Sequence, residues 1–301
     1  MGLLELWDSD MNLIKLLFSL ALFIFITPAY SIDACVLDSG NIRNSSVDTP
    51  DGCSIQPEIQ RVKFYKLALC NSEPIAPTDL SAVDISNCTT IWENSSGSTI
   101  DILKNTFQPL SGGSVNIPVG TFSYFYLEID PVIGIQAQRN FNFIRSGSTS
   151  DDAGLGTTCW SVSSDTPFYS VTTYPLGASG TVKCGTEIDA NPEVTNGFVN
   201  EGDDGEFTGN FLTSQGFTFK YFLVKNNYML PLGAPLPDVS NDVSKIIGWG
   251  PQSLSITSTS AKIQINFNNS QGGEIFFSNN AGEIIDTFGP GPFDIFVNIV
   301  N

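Results

Sequence analysis

Glu128 and Asp130 lie two residues apart in the segment Phe122-Ser123-Tyr124-Phe125-Tyr126-Leu127-Glu128-Ile129-Asp130. On a strand, residues i and i+2 share a face at roughly 7 Å, a spacing two carboxylates need for acid and base or nucleophile roles in glycoside hydrolysis. Such a pair is far more often solvated on an ordinary hairpin, so solvent-facing carboxylates are the expectation. A second acidic group is Asn200-Glu201-Gly202-Asp203-Asp204-Gly205-Glu206. Hard oxygen ligands set between glycines suit calcium, with Asp203, Asp204 and Glu206 as the candidate ligands. The same residues read equally as an Asp-Gly turn with acids solvating its tip. Asp189, Asn191 and Glu193 form a D-x-N-x-E run that lacks the glycine and the bidentate glutamate of an EF-hand.

Much other chemistry is excluded by residue type. Histidine is absent from the 301 residues, which removes His-based triads and His-ligated metals. No G-x-S-x-G occurs, and a serine without a base stays a poor nucleophile. Lys+Arg number 13 against 31 Asp+Glu, a formal net charge of −18 that repels phosphate backbones, so nucleic acid is not an expected partner. The expected protein is therefore not an enzyme, and it needs no cofactor; calcium is the one ion its loops would suit.

The six cysteines, Cys35, Cys53, Cys70, Cys88, Cys159 and Cys184, have no C-x-x-C spacing and read as disulfide staples of an exported chain. Six cysteines allow fifteen pairings, of which neighbour pairing is the simplest. Export is indicated by the apolar run from Leu16 to Thr27, preceded by Lys15 and followed by Pro28-Ala29-Tyr30-Ser31. A run of this length suits a signal-peptide core and is short for a bilayer span. Residues 1–31 are thus expected to be a cleaved signal peptide, leaving a mature chain with no membrane span, secreted to the cell surface or beyond. Asn-x-Ser/Thr tripeptides begin at Asn44, Asn87, Asn94 and Asn268; they are glycan acceptors in a eukaryotic export pathway and carry no meaning in a bacterial one.

The elements that position these residues read as β nearly throughout. Arg61–Leu69 alternates Val62 and Phe64 against Arg61, Lys63 and Tyr65, and Phe217–Val224, Ser253–Ser258 and Ala261–Phe267 alternate likewise. The helical spacing Val239, Val243, Ile246 and Ile247 predicts one or two helical turns after Pro237. Ile117-Pro118-x-Gly120-Thr121 followed by an aromatic strand resembles the strand, Pro-x-Gly turn, strand element of prealbumin-like and Cna-B-like sandwich domains. That resemblance implies a sandwich fold and nothing further. The small polar stretch Arg145–Gly154 suggests a linker. The expectation is an all-β chain of two sandwich-like units, immunoglobulin/prealbumin-like or jelly-roll-like, at residues 32–147 and 148–301.

Phe293, Ile295, Phe296, Val297, Ile299 and Val300 put apolar residues on both faces of one strand, which calls for cover on both sides. The expected function is a secreted structural or surface protein, the self-associating subunit of a filament, sheath or appendage, with residues 293–300 as the assembly strand. The alternative is an adhesin or carbohydrate-binding module with glycan stacked on Trp92, Trp160 and Trp249.

Overall fold

A computed structural model describes residues 33–43, 52–103, 114–115, 118–148, 153–163, 168–170, 182–199, 207–213, 216–232, 243–258, 262–277 and 284–300. The expected signal peptide, residues 1–31, lies outside them. Among the described residues twenty strands run in chain order. They are β1 (Leu37–Asp38), β2 (Asn41–Ile42), β3 (Cys53–Ile55), β4 (Ile59–Cys70), β5 (Cys88–Leu103), β6 (Ser114–Val115), β7 (Gly120–Ile129), β8 (Val132–Gln136), β9 (Gln138–Ser146) and β10 (Leu155–Ser161). There follow β11 (Phe168–Ser170), β12 (Val182–Gly185), β13 (Thr195–Val199), β14 (Thr208–Leu212), β15 (Thr218–Val224), β16 (Lys245–Ile256), β17 (Lys262–Asn268), β18 (Gly273–Phe277), β19 (Ile285–Pro290) and β20 (Asp294–Val300). One 3₁₀ turn, Glu187–Asp189, is the only helical element among the described residues. The chain is all-β.

The largest sheet has ten strands, ordered β11-β13-β8-β4-β7-β16-β15-β14, with β5 and β6 added beside β4. A five-stranded sheet runs β1-β2-β9-β10-β12, β19-β18-β3 forms a third, and β17-β20 a fourth. Strands from both sides of residue 148 share each of the first two sheets, and Ser31–Asn301 clusters as one compact unit. This corrects the expected separation into units 32–147 and 148–301: the Arg145–Gly154 stretch joins paired strands β9 and β10 and divides nothing. Two of the three disulfides, Cys70–Cys88 and Cys159–Cys184, join register partners across β4/β5 and β10/β12, and the third joins Cys35 to Cys53.

The main core includes Val62, Phe64, Leu67, Leu69, Phe125, Leu127, Ile129 and Leu223 on one face of the large sheet. The parity of β4 changes midway. Even residues up to Phe64 face this core, whereas Leu67 and Leu69 do so afterwards, because the register slips between Phe64 and Lys66. That bulge, at Tyr65, turns Lys66, Ala68 and Cys70 to the outer face. The expected helical turn near Val243 is a strand start instead. Ile246 lies in the main core and Ile247 in a second cluster, the opposite-face arrangement of consecutive strand residues; Val239 lies outside the described residues.

Candidate functional site

On the outer face of β4, β7, β16 and β15 a second apolar cluster gathers Ala68, Cys70, Tyr126, Phe222, Val224, Ile247 and Trp249. Its aromatic rings are close, Phe222 and Trp249 stacking at 4.7 Å between centroids. Glu128, 1% exposed, stands at the end of this cluster. Burying a lone carboxylate costs several kcal/mol, so it must be paired and hydrogen-bonded. Both oxygens are. Oε1 accepts the Tyr126 hydroxyl at 3.1 Å and lies 3.6 Å from Lys66 Nζ. Oε2 accepts Tyr228 Oη and Lys245 Nζ, each at 2.9 Å. Lys245 also donates to Tyr228 Oη and lies over the Tyr228 and Tyr65 rings, 4.5 and 5.3 Å from their centroids.

The electrostatics follow from this geometry. Burial alone would lower the pKa of Lys66 and of Lys245. It is outweighed at Lys66 by Glu128 and Glu93, and at Lys245 by Tyr228 and Glu128, so both ammoniums are held above the ordinary lysine value. Burial, followed by the Glu128 charge, drives the Tyr126 phenol strongly upward, so it remains a donor. The network is two cations and two phenols closed around one carboxylate, which itself is out of contact with solvent.

A loop from Asn71 to Asn87, closed by the Cys70–Cys88 disulfide, covers the cluster with Val83 and Ile85. It is tied to the segment after β15 by Val83 N–H to Tyr228 O at 3.1 Å and Leu230 N–H to Thr78 O at 3.0 Å. Glu73 of this loop accepts Lys220 Nζ at 2.6 Å and Trp249 Nε1 at 3.2 Å. The Lys220 hydrogen bond is the main cause of its lowered pKa. Tyr228 has φ 61°, left-handed backbone that a bulky side chain rarely adopts and that costs of order 1–3 kcal/mol. Its Oη bonds to Glu128 and Lys245 hold it there.

The sequence-predicted residues are distributed differently from expectation. The expected solvated pair Glu128 and Asp130 is corrected: Glu128 is sealed, and Asp130 is only part-buried, accepting Tyr65 Oη at 2.7 Å and Val132 N–H at 2.9 Å. Asp203, Asp204 and Glu206 lie outside the described residues. Among the described residues no group of three or more His, Cys, Asp or Glu is arranged to hold a metal ion. Trp92, Trp160 and Trp249 are 4%, 3% and 1% exposed, so none is an open stacking platform. In the expected assembly strand, Phe293, Ile295 and Val297 are buried in the protein's own core, Ile299 packs against it, and β20 pairs with β17 along its length. The side chains of Phe296 and Val300 lie outside the description. Sequence reading missed Lys66, Lys245 and Tyr228; the scarcity of lysine in an acidic chain was the available signal.

Exposed apolar side chains collect elsewhere. Leu37, Phe143, Ile144 and Leu155 are 61%, 59%, 65% and 72% exposed, and all four sit on the five-stranded sheet. Beside Leu155 an open cleft of about 500 Å³ lies between β10, β12 and the segment after Gly185.

No protein-family model matches the chain, and no curated protein and no solved structure matches it.

Proposed function

We propose that this is an exported, non-catalytic structural or surface protein whose protomers associate with one another through the five-stranded sheet. The carrying observation is that four exposed apolar side chains, Leu37, Phe143, Ile144 and Leu155, belong to the strands of that one sheet. Apolar surface of this kind is what a partner would cover. A second copy is the occupant this reading takes. Arg145 is buried and Arg139 is paired with Glu58, which leaves Lys183 against Asp38, so the sheet presents little net charge to oppose an apolar contact. A contact between two different surfaces of identical protomers propagates into a ring or filament. The sealed state of Glu128 supports a structural role for the polar cluster around it. Phe293, Ile295 and Val297 pack in the protomer's own core, which favours an assembly surface other than residues 293–300.

The test is light scattering and negative-stain electron microscopy of residues 32–301, secreted in oxidised form, beside Phe143→Glu and Leu155→Glu. Filaments or a defined oligomer are expected, dissociating in either variant with an unchanged melting curve. A wild-type protein that stays monomeric at high concentration overturns the reading.

A further inference from the structure

The cleft beside Leu155 has two unlike walls. One comes from β10 and β12, where Trp160 and Lys183 are register partners and Val162 follows β10. The other is the segment carrying Asp189, Asn191 and Glu193. This second wall is fastened at several points. Gln136 Nε2 donates to Pro192 O and Ser161 Oγ to Glu193 O, each at 2.6 Å, and Glu193 N–H donates to Ser161 O at 2.9 Å. The carboxylates are oriented too: Glu193 Oε2 accepts Ser163 N–H at 3.1 Å, and Asp189 Oδ2 accepts Thr186 Oγ1. Among the described residues, Asp189 Oδ1, Glu193 Oε1 and the Asn191 amide have no partner. Gly185 forms part of the lining next to the Trp160 indole; a Cβ there would stand 3.1 Å from the ring.

We infer that this cleft is a saccharide-binding site. Fixed polar groups converging on a concave surface with an apolar wall are the general form of a small-ligand site, and the volume falls in the usual range. The mixed lining selects the ligand class. Asp189, Glu193 and the net charge of −18 repel an anion, while Lys183 offsets part of the local negative charge that would draw a simple cation. A neutral ligand with several hydroxyl donors suits two carboxylate oxygens without partners and an amide. A sugar ring adds an apolar C–H face for Leu155 and Val162. Stacking on an open indole is not involved, because Trp160 is buried. The cleft shares Leu155 with the proposed self-association surface, but the sugar site rests on Asp189, Asn191 and Glu193, which lie off that sheet, and their variants test it separately.

The experiment is saturation-transfer NMR and titration calorimetry on residues 32–301 with glucose, galactose, N-acetylglucosamine and maltose, beside Asn191→Ala and Glu193→Gln. Spermidine and inorganic phosphate serve as charged probes. The expected result is millimolar or tighter binding of at least one sugar, weakened about tenfold or more in each variant, with thermal melting unchanged. Failure of all four sugars at about 10 mM overturns the inference. So does sugar binding that both variants leave intact, or competition for the cleft by spermidine or phosphate in place of sugar.

Discussion

Lys66 and Glu128 are register partners across β4 and β7, and their charged groups stand 3.6 Å apart on the covered outer face of the sheet. The pairing depends on the bulge at Tyr65, since without the slip between Phe64 and Lys66 the lysine would face the apolar core. Lys245 completes the neutralisation from β16 on the other side of β7. A carboxylate this well buried is a point of mutual dependence among three strands.

Glu128→Gln removes the charge but keeps the shape. Lys66 and Lys245 are then left part-buried with their shared counter-ion gone, and stability should fall by about 3–5 kcal/mol. Urea unfolding at neutral pH measures this directly; a loss below about 0.5 kcal/mol would mean that water enters and the network is not sealed.

Tyr228→Phe keeps the ring over Lys245 and deletes the hydroxyl shared with Glu128. A hydrogen bond to a charged group is worth about 1.5–3 kcal/mol, so a loss in that range is expected. Tyr228→Phe should also loosen the left-handed turn, read as faster hydrogen exchange at Val83 N–H, which donates to Tyr228 O.

Replacing both Cys70 and Cys88 by serine opens a loop with a sequence separation of 18 residues. Loop-closure entropy puts the cost at about 3 kcal/mol. The distinctive consequence concerns Trp249, held under that loop through Glu73: its fluorescence should become accessible to acrylamide in the variant before global unfolding. Quenching equal to wild type would show that the loop stays in place without its staple.

Glu274 on β18 supplies a pH dependence. Although part of the residue reaches the surface, burial of its carboxyl pushes the pKa from 4.5 up to about 8. The folded protein therefore keeps a proton that the unfolded chain has released, so this group's contribution to stability falls as pH rises from about 4.5 through about 8. The fall should amount to about 2–4 kcal/mol, and Glu274→Gln should abolish it. Lys66 and Lys245 act at the alkaline end: their raised values give stability that is full below the ordinary 10.5 and lost as pH climbs past it. A wild-type profile that is flat between pH 5 and 8, parallel to that of the variant, would refute the assignment to Glu274.

The all-β character was legible because a strand writes its period of two directly into local sequence, as at Val62 and Phe64, and Cys spacing in an exported-looking chain announced staples. The same local rule misled wherever long-range register took over. Val239, Val243, Ile246 and Ile247 match a helical period by chance; a strand with cover on both faces carries consecutive apolar residues, and only the packing reveals that both faces are covered. The small polar stretch at Arg145–Gly154 looked like a domain boundary because local composition cannot report that β9 and β10 pair across it. Glu128 looked solvent-facing for a similar reason. Its burial depends on a bulge at Tyr65, on Lys245 far along the chain, and on a left-handed tyrosine from a third segment. Sequence alone determined which residue types were present to neutralise a carboxylate. The tertiary structure decided which of them met it, because a one-residue slip in register exchanges the two faces of a strand.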